Sequence, residues 1–324
     1  GPASASAGGR SRPLGLQSRM SSVPGLPPLK SLLKSTVVED PINVYVHRTA
    51  AYGFVKAIWH TPITPNMITF LSVVVGAASG AMYLWGTREA MIAAGALLWT
   101  AAILDGADGI LARAKNMQSQ FGRALDGWAD MMVAIFTVIP AFWHVWVAYQ
   151  NPIHLPLMVI AIVTTTIHLS AYDYYKELYL RMTPGRGSEG EELEDAEKRI
   201  EEARSRGFMT FIAVKHVLLP YLRQQKRTIR LLDPTTREQR DALAKTEESR
   251  ERYREENLVP MRLFSLVSLA PHSYLMAWFS MADRLDIYVW VRAIAMNLIF
   301  FVAVFLQRRA TRRSLAAIAA GDAA

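Results

Sequence analysis

The stretch AMIAAGALLWTAAIL, residues 90–104, carries no charged side chain and runs directly into Asp105. A helix of this composition has no polar face to turn toward water, which favours the interior of a membrane. Crossing a bilayer takes about 20 mostly apolar residues. The stretches predicted to do so are Met67–Trp85, Ala90–Leu104, Met131–Gln150, Ile153–Tyr172, Leu263–Ala282 and Ile287–Leu306. We therefore predict an all-α integral membrane protein with six transmembrane helices; a large soluble helical core is the alternative, which uncharged runs of this length disfavour.

The composition excludes several kinds of functional site and limits the possible partners. The 324 residues include 36 Lys and Arg against 28 Asp and Glu, a net charge of +8, and no Cys. Without Cys the chain has no disulfide, no thiolate metal site and no cysteine nucleophile. The excess of positive charge suits either a nucleic-acid binder or a protein beside anionic lipid. Because the basic residues flank the apolar stretches, we expect membrane lipids and no nucleic acid as partners.

The basic residues also predict the topology. The connections 86–89, 150–155 and 283–286 hold at most one Lys or Arg each, whereas basic residues gather before the first stretch, in 110–125 and after the last. Positive charge marks the cytoplasmic side. Both termini and the 110–125 connection are therefore predicted to be cytoplasmic, and we expect a bacterial inner membrane.

The chain divides into six segments. We interpret residues 1–19 as an expression scar. The remaining segments are a cytoplasmic or interfacial N-terminal segment (20–64), transmembrane helices 1–4 with the catalytic motif (65–182), a charged cytoplasmic helical insert (183–262), transmembrane helices 5–6 (263–307) and a basic cytoplasmic tail (308–324). The N-terminal segment mixes apolar and basic positions, which is typical of an interfacial helix or of a helix packed on the protein's own helices. For the insert, the options are a spacer, a lid or a dimer contact.

Four carboxylates stand where the second span meets the third, in LDGADGILARAKNMQSQFGRALDGWAD, residues 104–130. Asp105 and Asp108 are three positions apart, and Asp126 and Asp130 four apart, so each pair shares one face of its helix. On antiparallel neighbouring helices the two pairs converge at the membrane edge. Four converging carboxylates need cations to stay ionised, and oxygen ligands without Cys or His favour Mg²⁺ or Mn²⁺.

Other residues of this stretch point to a phosphate ligand. The guanidinium group of Arg113 has N–H donors in the geometry that binds a phosphate group. The glycines predict close approach of backbone to backbone and of backbone to a ligand, because glycine otherwise weakens a helix. These glycines are Gly106, Gly109, Gly122 and Gly127.

The stretch resembles the signature of the CDP-alcohol phosphotransferase family. That signature is Asp, two residues, Asp-Gly, two residues, Ala-Arg, eight residues, Gly, three residues, Asp, three residues, Asp. Every position is present, as Asp105, Asp108, Gly109, Ala112, Arg113, Gly122, Asp126 and Asp130. Thr64-Pro65-Asn66-Met67-Ile68-Thr69 is similar to the start of the first membrane helix in that family.

The resemblance implies an enzyme. Members cleave a CDP-linked alcohol, transfer the phospho-alcohol unit to an acceptor hydroxyl and release CMP. It implies Asp105, Asp108, Asp126 and Asp130 as ligands of a divalent metal, with Asp126 and Asp130 catalytic and Asp130 the general base. It implies a nucleotide pocket formed by Asn66, Thr69, Asp108, Gly109, Ala112, Arg113 and Gly122. A homodimer is expected from the same resemblance.

The substrates are less defined. CDP-diacylglycerol is the first choice of donor, in phospholipid synthesis; the alternative is transfer of a soluble CDP-linked head group to a lipid alcohol. The run SAYDYYK, residues 170–176, departs from the Arg-rich sequence of relatives with phosphorylated acceptors, although Lys176 and Arg181 could serve one. Tyr172, Tyr174 and Tyr175 are interpreted as an interfacial aromatic belt. Of other classes, an ion-coupled transporter using intramembrane carboxylates and an inactive nucleotide-binding scaffold remain.

Overall fold

The computed structural model describes residues 25–33, 37–183, 197, 200–205, 207–236 and 246–321. The predicted expression scar, residues 1–19, lies outside this part of the chain. The helices up to the insert are α1 (Leu29–Leu32), α2 (Arg48–Ile58), α3 (Pro65–Trp85), α4 (Arg88–Ala114), α5 (Gln120–Tyr149) and α6 (His154–Arg181). Those that follow are α7 (Ile200–Ser205), α8 (Phe208–Ala213), α9 (Leu219–Leu232), α10 (Glu247–Ser265), α11 (Leu269–Met281), α12 (Leu285–Trp290) and α13 (Met296–Gly321). Asn43–His47, Val214–Leu218 and Val291–Ala295 are π-helical turns.

Within the described residues, five helical runs are long and apolar enough to cross a membrane. They are α3, α4, α6, most of α5, and the run Leu285–Ala316 that joins α12 to α13 through a π-turn. Large apolar side chains on these helices face outward, for example Phe70, Ile139 and Phe301, each at least 60% exposed. Such surfaces suit lipid rather than water, which indicates a multi-pass membrane protein. Five of the predicted spans are thereby matched by a helix.

The sixth predicted span, Leu263–Ala282, is not one continuous helix. α10 ends at Ser265, a turn follows, and α11 begins at Leu269. Pro271 explains the break, because proline has no N–H for the carbonyl four residues earlier, that of Val267, and its ring clashes there. The 13-residue α11 is shorter than a membrane-crossing helix. A membrane span at this position stays a prediction.

The starts of α3 and α5 lie at the end of the bundle that holds the motif residues. α3 opens with Pro65 at its first position, where a missing N–H costs nothing. α5 opens at the Ser119 cap, whose Oγ accepts a hydrogen bond from the Gly122 N–H at 2.9 Å. Since α4 ends at Ala114, the C-terminal end of α4 meets the N-terminal ends of α3 and α5.

The N-terminal segment packs on the protein itself. Ala51 and Val55 of α2 are fully buried, in a cluster with Leu104, Ala107 and Leu111 of α4. Of the two readings that the sequence left open, contact with the chain's own helices is therefore the one observed. An interfacial position of the same segment is not tested by this contact.

The described part of the insert lies against the bundle. α8 and the turn Val214–Leu218 pack on α5, α9 packs on α6, and α10 packs on α6 and α13. Two tyrosines of α6 contact the N-terminal segment and the insert. Tyr172 donates a hydrogen bond to the Val38 carbonyl at 3.0 Å, and Tyr175 to Asp233 at 3.4 Å. Both rings are buried, so their interpretation as an interfacial aromatic belt is wrong.

Two glycines of α3 allow close packing within the chain. A Cβ at Gly76 would lie 3.1 Å from Val133, and one at Gly80 would lie 1.9 Å from the Phe136 carbonyl oxygen. Both neighbours belong to α5. This face of α3 is therefore covered by the same chain and is not free for a second copy.

Candidate active site

Three carboxylates meet between α4 and α5. Asp105, Asp108 and Asp126 each place one oxygen within 4.8 Å of the others. Asp108 is 6% exposed, Asp105 is half-buried and Asp126 faces the open side. The spacing explains the convergence, since positions three or four apart share a helix face. The prediction that these carboxylates lie together is confirmed for these three.

A hydroxyl of α3 fixes the most buried of them. Thr69, 4% exposed, donates a short hydrogen bond from Oγ1 to Oδ2 of Asp108. The same hydroxyl lies 3.1 Å from the Pro65 carbonyl oxygen within its own helix. Thr69 therefore joins the first membrane helix to the carboxylate cluster. The family resemblance implied only a place for it in the nucleotide pocket.

Asp130 lies beside the cluster rather than in it. Its carboxyl group is within hydrogen-bonding reach of Asp105 and is half-buried. It stands two helical turns after Gly122 and one after Asp126, on the same face of α5. Its position beside the cluster leaves it free for a role other than holding a cation, and its assignment as a metal ligand stays a prediction.

Arg48 is a site residue that the sequence did not single out. Its Nη1 donates to the Gly106 carbonyl at 3.3 Å, next to Asp105 in the chain, and its Nε is paired with Glu39 at 2.8 Å. Burial alone would lower the pKa of Arg48, but the Glu39 carboxylate raises it above its usual value. A permanent positive charge thus stands beside the acidic cluster. Its distance along the chain from the motif gave no signal for this contact.

Arg113 and Gly109 lie together at the end of α4. A Cβ at Gly109 would lie 3.4 Å from Nη1 of Arg113, so the guanidinium rests over the glycine. Its Nε donates to the Leu32 carbonyl at 2.7 Å. The N-terminal segment therefore holds the Arg113 guanidinium beside Gly109, the residue that follows Asp108. This position is compatible with the predicted phosphate-binding role.

The other predicted pocket residues also come to this end. A Cβ at Gly122 would lie 3.8 Å from Oδ1 of Asn66, which is exposed. Ala112 lies one turn after Asp108 on the same face of α4. Asn66 and Gly122, from different helices, are thus neighbours, although their role with a nucleotide stays a prediction.

The motif glycines do not all serve one purpose. A Cβ at Gly106 would lie 3.3 Å from Arg48, so this glycine admits the N-terminal segment. Gly127 has no atom within 4 Å of such a Cβ. The four glycines were predicted to allow close approach of backbone to backbone and of backbone to a ligand; no backbone among the described residues approaches Gly127, and approach of a ligand there stays a prediction.

The donor set fits a hard divalent cation. The cluster offers only carboxylate oxygens, which Mg²⁺ and Mn²⁺ prefer over softer ligands. One ligand is buried and one is exposed, so an ion held here would be reachable by a phosphate from the open side. The residues present therefore fit the predicted metal.

Comparison with known proteins agrees with this geometry. Residues 62–186 match the family model of CDP-alcohol phosphatidyltransferases. Over 99 residues, 29% of this chain, the sequence is 33% identical to a protein of Rubrobacter xylanophilus named bifunctional IPC transferase and DIPP synthase. The match spans 22% of that relative's length. The family match contains the whole carboxylate cluster and Asn66, and ends as the insert begins.

Proposed function

We propose that the chain is a divalent-metal-dependent phosphotransferase of phospholipid synthesis, because residues 62–186 match the family model of CDP-alcohol phosphatidyltransferases. It cleaves a CDP-linked alcohol and passes the phospho-alcohol unit to an acceptor hydroxyl. The observation that carries this proposal is the convergence of Asp105, Asp108 and Asp126 at the junction of α4 and α5.

These three residues would hold Mg²⁺ or Mn²⁺. A bound ion would neutralise the pyrophosphate of the donor and the charge that develops on departing CMP. Thr69 keeps Asp108 in place through its hydroxyl. Arg48, bonded to the Gly106 carbonyl, and Arg113, over Gly109, add positive charge along α4 that is suited to the phosphate oxygens of the donor.

Asp130 is the proposed general base. As the acceptor oxygen bonds to the phosphorus that bears the donor's alcohol, its proton passes to the Asp130 carboxylate. The bond between that phosphorus and the bridging oxygen breaks, and CMP leaves with the electron pair. Asp130 suits this role because it stands beside the cluster and outside the three-carboxylate group.

The surface around Asn66 supports a lipid-linked donor. Phe70, one turn after Asn66 on the same face of α3, is 64% exposed, and Met67 is 57% exposed. This apolar face runs from the polar site along a membrane helix, where acyl chains would find it. We therefore propose CDP-diacylglycerol as donor, with cytidine and phosphates near Asn66, Gly109, Ala112, Arg113 and Gly122. Transfer of a soluble CDP-linked head group is the alternative.

Orientation and assembly follow from charge and from the family. The basic residues predict that the site faces the cytoplasm, in a bacterial inner membrane. We propose a homodimer, which cannot use the Gly76 and Gly80 face of α3 because α5 covers it. Its interface would have to lie on another lipid-facing surface.

Product analysis tests the reaction. Purified protein is given Mg²⁺ with CDP-diacylglycerol or with CDP-choline and diacylglycerol, and CMP and lipid products are measured by chromatography and mass spectrometry. We expect CMP and a new phospholipid from CDP-diacylglycerol with an added alcohol. Asp126→Asn and Asp130→Asn should each abolish CMP release, whereas Asp283→Asn, in the turn at the other end of the bundle, should not.

The same experiment separates the alternatives. A lipid product only from CDP-choline would assign the head-group direction of transfer. Full turnover by both Asp126→Asn and Asp130→Asn would refute the roles of these residues. Ion flux across proteoliposomes with no CMP from any donor would instead favour a transporter.

A further inference from the structure

Described segments of the insert pack on the helices beside the candidate active site. α8 and the turn Val214–Leu218 pack on α5, the helix that carries Asp126 and Asp130, and α9 packs on the end of α6. Val214, Leu219 and Leu222 form a small buried cluster that ties these insert segments to one another. These segments of the insert therefore pack on the helix that carries Asp126 and Asp130 and on its neighbour α6.

Two polar contacts join α9 to α6. The hydroxyl of Tyr221 donates to Oδ2 of Asp173 at 2.5 Å, and Nε2 of Gln224 lies 3.5 Å from Oγ of Ser170. The two donors are three residues apart on α9, and the two acceptors are three apart on α6. This spacing matches one face of each helix to one face of the other.

Asp173 accepts hydrogen bonds from the insert and from the ammonium group of Lys176. Its Oδ1 accepts from Nζ of Lys176 at 2.7 Å, while Oδ2 accepts from Tyr221. The Lys176 ammonium also lies 4.8 Å from the centre of the Tyr172 ring. A carboxylate oxygen can accept more than one hydrogen bond, so an incoming hydroxyl group can also donate to Asp173.

This pair lies near the helix that carries the proposed base, because Tyr221 follows the turn Val214–Leu218, which packs on α5. Asp130 is close enough to interact electrostatically with both Asp173 and Tyr221. Burial raises the pKa of the Tyr221 phenol well above its usual value, and the Asp173 and Asp130 carboxylates raise it further. Tyr221 therefore stays protonated and acts as a hydrogen-bond donor at this position.

We propose, on the basis of the function proposed above, that the acceptor alcohol binds between Asp130 and the Tyr221–Asp173 pair, and that it is an uncharged polyhydroxy compound. Asp173 and Tyr221 are positioning residues: they bind hydroxyl groups of the acceptor and so present one of them to Asp130. The insert thereby sets acceptor specificity, through a residue that lies outside the part of the chain matched to the family.

The charges favour an acceptor without a phosphate group. Lys176 is paired with Asp173, and Arg48 is paired with Glu39. A phosphate group that bound Lys176 would compete with Asp173 for this cation and would lie near Asp130, and like charges repel strongly where water is scarce. Hydroxyl groups avoid this cost and satisfy the same carboxylates.

Acceptor kinetics of Tyr221→Phe test the proposal. The enzyme, with CDP-diacylglycerol and Mg²⁺, is given myo-inositol or glycerol as uncharged acceptors and glycerol 3-phosphate as a charged one. We expect Tyr221→Phe to raise KM for the uncharged acceptor roughly tenfold, the effect of one lost hydrogen bond, and to leave KM for the donor unchanged. The matched control is Tyr253→Phe, the same change at a buried tyrosine elsewhere in the insert.

Asp173→Asn supplies a second, independent variant. It should weaken myo-inositol use and, because Lys176 loses its partner, increase turnover of glycerol 3-phosphate relative to the wild type. An acceptor KM that is unchanged in Tyr221→Phe, or a wild type that prefers glycerol 3-phosphate or uses only a lipid alcohol, would overturn the proposal while leaving the phosphotransferase function intact. Absence of CMP from every donor would overturn the proposed function and the acceptor site with it.

Discussion

Replacement of Thr69 by valine tests whether α3 holds the carboxylate cluster in shape. The two side chains have nearly the same shape, so Thr69→Val removes the hydrogen bond to Asp108 and leaves the packing of a residue that is 4% exposed. Asp108 is the most buried carboxylate of the three, and water cannot readily replace the lost donor. The perturbation therefore acts on the site and not on the fold.

The expected effect of Thr69→Val on metal binding follows from the strength of the lost hydrogen bond. A hydrogen bond to a charged group contributes about 1.5–3 kcal/mol, which corresponds to roughly 10- to 150-fold in an equilibrium constant. Loss of a partner that orients a metal ligand lowers metal affinity by about 10- to 100-fold. We therefore expect the Mg²⁺ concentration for half-maximal CMP release to rise by one to two orders of magnitude, with activity recovered at high Mg²⁺.

The assay is a Mg²⁺ titration of CMP release at saturating CDP-diacylglycerol. Thr100→Val is the control, because that exposed hydroxyl donates to the Ala96 carbonyl of its own helix. An identical Mg²⁺ requirement in Thr69→Val and Thr100→Val would refute the role of Thr69 in holding Asp108.

Three further predictions concern stability, and thermal melting in detergent measures each. Gly80→Ala should destabilise the protein by about 1–3 kcal/mol, because its Cβ would meet a carbonyl oxygen of α5 at 1.9 Å. The control Gly53→Ala, which has open space around its Cβ, should be neutral or stabilising by up to about 1 kcal/mol. Equal melting temperatures of the two variants would contradict this. Glu39→Gln should destabilise the N-terminal segment by about 1–3 kcal/mol, since it leaves Arg48 without its carboxylate, and an unchanged melting temperature would argue against the pair. Burial, with the nearby Arg48 charge, lowers the pKa of His47 from 6.5 to about 4. The unfolded chain therefore binds the proton first, and the free energy of unfolding should fall as pH drops from 6.5 to about 4. His47→Gln should flatten this part of the plot of stability against pH, and a flat plot in the wild type would be inconsistent with a buried neutral His47.

The features that sequence predicted are those set by local pattern. Uncharged runs marked five membrane helices, because length and hydropathy alone decide whether a helix can cross a bilayer. Helical spacing placed Asp105 with Asp108, and Asp126 on the facing helix, and the structure brings these three together. In both cases neighbouring residues carry all the necessary information.

The features that sequence missed depend on distant contacts. Arg48 reaches Gly106 across 58 positions, and Tyr221 reaches Asp173 across 48. Neither lies in a motif, and each looks like an ordinary charged or interfacial residue when the chain is read locally. The broken span at Pro271 was missed for another reason, because hydropathy alone does not register a missing backbone donor.

Binding of Mn²⁺ to the three-carboxylate cluster tests the central claim most directly. After removal of metal by EDTA, Mn²⁺ bound to the wild type and to Asp108→Asn is counted by electron paramagnetic resonance, and CMP release is measured in the same samples. We predict that the wild type binds Mn²⁺ and regains CMP release in step with occupancy, while Asp108→Asn loses both. CMP release that persists in the metal-free wild type, or that returns in Asp108→Asn at wild-type Mn²⁺ concentrations, would contradict a metal-dependent phosphotransfer at these aspartates.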